Sequence, residues 1–106
     1  MEKYLTVEPK EFAQIVKEPD VYLLDVRHAD EYEDGHIAGA ANIDVTEPDF
    51  IEKAKVQLPK GKRIAVYCGS GKRSAIASDK LSDAGYTVVN LDGGMANWEA
   101  AGEPVS

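Results

Sequence analysis

Short apolar runs alternate along the chain with stretches in which apolar residues recur at helical spacing. A continuous apolar run is typical of a strand covered on both faces, and a recurrence at i, i+4 and i+7 is typical of a helix with one buried face. The runs predict five strands, at 4–7, 21–26, 41–43, 64–68 and 87–91. The stretches between them predict five helices, near 9–17, 29–33, 49–57, 74–84 and 96–100.

The regular alternation of strand and helix predicts an α/β fold, with a mostly parallel sheet and helices on both of its faces. The 106 residues suit a single domain spanning 1–106 and are too few for two ordinary domains. A hydrophobic share of 43% and a charged share of 29% are typical of a globular protein.

Charge and apolar length restrict the partners and the location that we expect. The formal net charge of −7 argues against binding to nucleic acid or to an anionic membrane. No apolar run approaches the ~20 residues that span a bilayer, and residues 1–6 lack the apolar core of a secretion signal. The single cysteine cannot form an internal disulfide, so we expect a cytoplasmic protein, although an exported form whose signal had been removed would have the same sequence.

That cysteine, Cys68, ends a predicted strand and opens the segment Cys-Gly-Ser-Gly-Lys-Arg-Ser at 68–74. Two glycines allow the backbone to curl tightly, and the N–H groups at the start of the next helix favour negative charge. With Lys72 and Arg73 beside it, such a turn would stabilise a thiolate together with a bound oxyanion. On its own, each feature also fits an inert buried cysteine followed by an ordinary turn.

Other loop chemistries do not fit the segment. A phosphate loop of the G-x-x-x-x-G-K-[ST] type would need glycine at Val66 and a hydroxyl at Arg73, and a dinucleotide fingerprint from Gly69 would need glycine at Ser74. One cysteine cannot supply the usual thiolate set for zinc. The acidic turn that contains His28, Asp30, Glu31, Asp34 and His36 is interpreted as solvated, with no metal expected.

The loop resembles that of the rhodanese family of sulfurtransferases, whose single-domain members carry C-x-x-G-x-R-S. Cys68, Gly71, Arg73 and Ser74 match this pattern. Two further groups of residues resemble the family's terminal signatures. The group that resembles the N-terminal signature comprises 24–27, 31–32, 35–37 and 39–43. The group that resembles the C-terminal signature comprises Gly93-Gly94, Trp98, Gly102 and 104–105. Ala38 departs from the family's common proline, a difference that concerns a turn.

The resemblance implies a single rhodanese-like domain with a five-stranded, mostly parallel sheet. It implies that Cys68 is the nucleophile, that it cycles through a persulfide, and that no cofactor is needed. The substrate-binding residues expected around it are Gly69, Ser70, Gly71, Lys72, Arg73 and Ser74. The expected partners are a small anionic sulfur donor such as thiosulfate, and an acceptor that is cyanide, a thiol, or a thioredoxin-like or other sulfur-acceptor protein.

Six signature residues are interpreted as structural. We expect Asp25 and Arg27 to form an ion pair and His36 to be a hydrogen-bonded turn residue. Trp98 is expected to pack a terminal helix against the core, and Gly93-Gly94 to form a tight turn near the reactive face.

Three alternatives remain open at the level of sequence. Cysteine phosphatases and arsenate reductases use a C-x5-R loop, whereas four residues separate Cys68 from Arg73 here. A sulfur carrier or interaction module with little turnover of small donors would have the same loop. The start of the loop also resembles that of mercaptopyruvate-using relatives, but Lys72-Arg73 departs from theirs and favours an inorganic anionic donor.

Overall fold

A computed structural model describes residues 3–106 of the chain. Met1 and Glu2, which belong to the segment 1–6 expected to lack the apolar core of a secretion signal, lie outside the described residues. The strands are β1 (Leu5–Val7), β2 (Val21–Asp25), β3 (Ala41–Asn42), β4 (Arg63–Tyr67) and β5 (Thr87–Leu91). The helices are α1 (Pro9–Ile15), α2 (Ala29–Asp34), α3 (Phe50–Gln57), α4 (Lys72–Asp83) and α5 (Gly94–Ala100).

The five strands form one sheet in the order β1-β5-β4-β2-β3, and every pairing is parallel. The predicted α/β class, the five-stranded parallel sheet and the helices on both faces are therefore confirmed. Since all strands run the same way, their carboxyl ends lie along one edge of the sheet, where open α/β sheets bind ligands. Within the described residues, no helix is long and apolar enough to cross a membrane.

Adjacent residues of the central strands point to opposite faces and enter two separate cores. Leu24 and Val66 pack with residues of α3 and α4, such as Phe50 and Leu81. Leu23, Ala65 and Tyr67 pack on the other face with α1 and α5, where Phe12 meets Trp98 edge to face at 6.1 Å. Burial on both faces explains why the strands are continuous apolar runs in the sequence.

Two helices begin earlier than the apolar pattern predicts. The pattern places their starts at 74 and 96, whereas α4 begins at Lys72 and α5 at Gly94. In each case a glycine in the left-handed region, Gly71 at φ +103° and Gly93 at φ +71°, caps the helix. These glycines compress the turn and leave the first helical residues next to the strand ends.

Candidate active site

Cys68 directly follows β4 at the carboxyl edge of the sheet, and its side chain is fully buried, with 0% exposure. Gly69, Ser70 and Gly71 connect Cys68 to the start of α4. Gly71 N–H donates a hydrogen bond to Cys68 Sγ at 3.0 Å. The loop thus brings a backbone donor against the thiol, and Gly71 takes a positive φ of +103° where the loop leads into α4.

Ser74, in the first turn of α4, is the other close polar neighbour of the thiol. Its Oγ lies 3.4 Å from Cys68 Sγ and 3.3 Å from the carbonyl oxygen of Gly71. Burial raises the pKa of the Cys68 thiol, but hydrogen bonds from the Ser74 hydroxyl and from the N–H groups of Ser74, Gly71 and Ser70 outweigh it. The net effect lowers the pKa, which favours the nucleophilic thiolate.

The N-terminus of α5 contacts the loop through backbone hydrogen bonds. Met95 N–H donates to the Cys68 carbonyl at 2.8 Å, and Ala96 N–H donates to the Gly69 carbonyl at 3.0 Å. Gly94 lies so close that a Cβ on it would be 2.5 Å from the Cys68 carbonyl oxygen. The expected tight turn at Gly93-Gly94 is therefore confirmed. Because the carbonyls of Cys68 and Gly69 point towards α5, the opposite side of the loop presents N–H groups.

Arg73 does not point freely into the loop, as a donor-binding cation would. Its Nη1 and Nη2 donate to the two carboxylate oxygens of Glu31 in α2, at 2.7 and 3.0 Å. Arg73 lowers the pKa of Glu31 to about 2, against the opposing effect of partial burial. Lys72 is exposed and makes no ion pair with any residue in the described range 3–106.

The structure thus brings all the predicted site residues, Cys68 and 69–74, into one loop and helix start. Sequence reasoning missed Glu31 as a member of the site, because its partner Arg73 lies 42 positions further on and no local spacing links them. Gly69 lies directly beside the pair, since a Cβ there would be 3.1 Å from Arg73 Nη2.

The interpreted structural roles of the signature residues are confirmed. Asp25, fully buried, binds the guanidinium of Arg27 through both carboxylate oxygens, with the shortest contact at 2.8 Å. His36 Nδ1 lies 2.9 Å from the Tyr32 carbonyl, and Trp98 Nε1–H donates to the Pro104 carbonyl at 2.8 Å. None of these groups hydrogen-bonds to the thiol.

The two histidines of the acidic turn, His28 and His36, contact different residues and do not share a site. His28 Nδ1 lies 2.6 Å from Asp44 Oδ2, and this contact raises the pKa of His28, whereas His36 stacks on Tyr32 with ring centres 4.0 Å apart. In the part of the chain that the structure describes, no three histidine, cysteine or carboxylate side chains are grouped as metal ligands would be. His28 and Asp44 form part of the charged rim near Arg73.

Comparison with known structures finds the same fold in proteins of similar sequence. A rhodanese-related protein from Thermoplasma volcanium is 34% identical, with a TM-score of 0.86 over 97% of this chain and 98% of that one. The thiosulfate sulfurtransferase from Pseudomonas aeruginosa is 30% identical, with a TM-score of 0.84 over 97% of this chain but 19% of that one.

Curated relatives match this chain over part of their own length. The tRNA uridine(34) hydroxylase of Bacillus velezensis is 36% identical over 97 residues, which cover 87% of this chain and 30% of the hydroxylase. The chain spans 30% to 55% of the lengths of several curated relatives that it matches. The family model of the rhodanese-like domain matches residues 8–101, and the chain therefore belongs to the rhodanese-like domain family.

Proposed function

We propose that this chain is a sulfurtransferase that moves a sulfane sulfur through a persulfide on Cys68. The observation that carries the proposal is the surroundings of the thiol. Gly71 N–H and Ser74 Oγ lie 3.0 and 3.4 Å from Sγ, and hydrogen bonds outweigh burial in lowering the pKa of Cys68. A thiolate held by fixed backbone donors is a ready nucleophile for sulfur.

The reaction has two half-reactions. The Cys68 thiolate attacks the outer sulfur of a donor such as thiosulfate, a sulfur–sulfur bond forms, and sulfite leaves with the electron pair of the broken bond. Cyanide or an acceptor thiolate then attacks the outer sulfur of the persulfide and releases the Cys68 thiolate. The mechanism includes no general base, because the hydrogen bonds to Cys68 Sγ lower the pKa of the thiol and favour the thiolate. The two separate transfers give ping-pong kinetics.

Access to the sulfur requires a local displacement of the loop, because Cys68 has no exposed surface. Ser70 and Lys72 are exposed, and Gly69 and Gly71 have no side chains that would hinder such a displacement. The persulfide adds one sulfur atom at this point, where the loop N–H groups stabilise its terminal negative charge.

A phosphatase function is less compatible with the same geometry. Phosphate binding over a cysteine needs several inward donors and a guanidinium that faces the substrate. Here the loop is one residue shorter than C-x5-R, and the Arg73 guanidinium is occupied by both oxygens of Glu31. The site therefore favours transfer of a single sulfur over phosphate chemistry.

A sulfur carrier uses the same persulfide and differs only in its acceptor, which would be a thiol of a partner protein rather than a small molecule. The activity in the name of the tRNA hydroxylase is not part of the function proposed for this chain. The matched segment is 30% of that protein, and the net charge of −7 does not favour RNA as a partner.

Steady-state assays test the proposal. We expect the protein to form thiocyanate from thiosulfate and cyanide, with parallel double-reciprocal plots when both substrates are varied. Cys68→Ser should abolish the activity, and phosphate release from an aryl phosphate should stay at the uncatalysed rate. Transfer by Cys68→Ser at the wild-type rate would exclude Cys68 as the nucleophile.

A further inference from the structure

The ion pair between Glu31 and Arg73 reduces the positive charge of the site, and this affects which sulfur donors the site can bind. Arg73 is a cation of the loop region, and Glu31 binds it through two short contacts of 2.7 and 3.0 Å. The carboxylate is itself fixed, because the His28 N–H donates to its Oε1 at 3.2 Å. With a pKa of about 2, Glu31 is ionised at every physiological pH, so the pair carries no net charge.

The remaining charges at the rim do not restore a strong positive field. His28 is paired with Asp44, whose Oδ1 also accepts hydrogen bonds from Thr46. Lys72 is left as the exposed cation of the loop segment, next to a thiolate of opposite charge. A donor that carries two negative charges meets one lysine and the loop N–H groups, within a chain whose net charge is −7.

We infer that Glu31 is a specificity-determining residue that sets the charge preference for the sulfur donor. By neutralising Arg73, it tunes the site towards donors with a single negative charge, such as an organic persulfide or thiosulfonate, and against the dianion thiosulfate. This inference rests on the proposed function and names the class of donor for the same site. Glu31 does not touch the thiol; it acts through Arg73 and is a positioning residue.

The interaction of a donor with the local potential scales with the donor's charge. If removing the Glu31 charge raises kcat/KM for a monoanion by some factor, it raises kcat/KM for a dianion by about the square of that factor. Thiosulfate and methanethiosulfonate form a suitable pair, because a methyl group replaces one charged oxygen. The first releases sulfite and the second methanesulfinate, and both leave the same persulfide on Cys68.

The variant Glu31→Gln keeps an oxygen that can accept from Arg73 but loses the charge. We expect the ratio of kcat/KM for thiosulfate to kcat/KM for methanethiosulfonate to rise roughly fivefold at low salt, mainly through the KM of thiosulfate. The rise should shrink near 1 M salt, where the screening length is about 3 Å. Glu33→Gln, which removes an exposed charge from the same helix, should leave the ratio unchanged.

A second readout does not depend on sulfur transfer. Iodoacetate is an anion and iodoacetamide is neutral, so the ratio of their rates of Cys68 alkylation reports the local potential and cancels changes in thiolate fraction or loop opening. This ratio should also rise roughly fivefold in Glu31→Gln. Glu31→Asp, which keeps the charge, should change it less.

The outcomes separate the inference from the proposed function. If persulfide forms but neither ratio moves in Glu31→Gln, or if Glu33→Gln moves both equally, the inference is wrong and the sulfurtransferase proposal stands. If no donor yields a persulfide, the proposed function fails, and the alkylation ratio still decides whether Glu31 controls the charge at the thiol. Equal decreases in kcat/KM for thiosulfate and for methanethiosulfonate in Glu31→Gln would assign Glu31 a purely structural role and overturn the inference.

Discussion

Ser74 has one hydroxyl proton and two neighbours that can accept it. Its Oγ lies 3.4 Å from Cys68 Sγ and 3.3 Å from the Gly71 carbonyl oxygen. In the thiol form, the S–H group donates to Oγ and the hydroxyl donates to the carbonyl. In the thiolate form, the hydroxyl turns and donates to sulfur, because a thiolate has no proton to give. Rotation of one hydroxyl therefore accompanies ionisation of the nucleophile.

This arrangement predicts the effect of Ser74→Ala. Loss of a hydrogen bond to the charged form raises the pKa of Cys68, since burial then meets less opposition. The pH profile of alkylation by iodoacetamide should shift to higher pH, and the rate at neutral pH should fall roughly three- to tenfold. The measurement is intact mass against time at a series of pH values.

Ser78→Ala is the matched control. Ser78 lies one turn further along α4, is equally buried, and its hydroxyl has no hydrogen-bond partner among the described residues. Its removal should leave the alkylation profile unchanged. An unchanged profile in Ser74→Ala, or an equal shift in Ser78→Ala, would contradict the role given to Ser74.

At the scale of elements, the reactive loop depends on the start of α5 as much as on β4 and α4. The N–H groups of Met95 and Ala96 bind the carbonyls of Cys68 and Gly69. Gly94 makes this approach possible because it has no Cβ and takes φ +60°. The sequence predicted a tight turn near the reactive face, but no local spacing predicted the hydrogen bonds to the loop 25 residues earlier in the chain.

Gly94→Ala should therefore damage both stability and chemistry. A Cβ would lie 2.5 Å from the Cys68 carbonyl oxygen and 2.9 Å from that of Gly69, at a φ that L-residues rarely adopt. We expect a loss of roughly 2–4 kcal/mol in the free energy of unfolding and a fall in sulfur transfer of roughly tenfold or more from misplacement of the loop. Denaturant unfolding and the rate of persulfide formation measure the two effects.

Gly102→Ala separates backbone strain from the contact with the loop. Gly102 also has a positive φ, +78°, but a Cβ there meets no atom within 4 Å. This variant should lose only about 1 kcal/mol of stability and keep the transfer rate of the native protein. An equal fall in the transfer rate in Gly94→Ala and Gly102→Ala would show that the contact with α5 does not position the loop.

At the scale of the whole molecule, the parallel sheet places the reactive parts together. β2 leads to Arg27 and α2, β4 leads to Cys68, and β5 leads to the turn at Gly93-Gly94, all at the carboxyl edge. Burial of the central strands on both faces makes this edge a rigid support. The buried pair of Asp25 and Arg27 extends the support, since Arg27 also donates to the Gly35 carbonyl at 2.6 Å.

The sequence was sufficient to predict the features that depend on neighbouring residues in the chain, namely the strands and the loop after Cys68. Continuous apolar runs identified every strand, and the glycines beside Cys68 identified the loop, because both depend on neighbouring residues in the chain. Contacts between distant segments were not predictable. The binding of Arg73 by Glu31 depends on how α2 and α4 pack, which no spacing in the sequence records.

The measurement that tests the account most directly is the intact mass of the protein after incubation with thiosulfate. We predict the addition of one sulfur atom to the native chain, its removal by cyanide or by a thiol reductant, and no addition to Cys68→Ser. This result does not depend on which acceptor is physiological. A native chain whose mass stays unchanged with thiosulfate and with methanethiosulfonate alike, or a Cys68→Ser variant that gains the same sulfur, would contradict the claim that Cys68 carries the transferred atom.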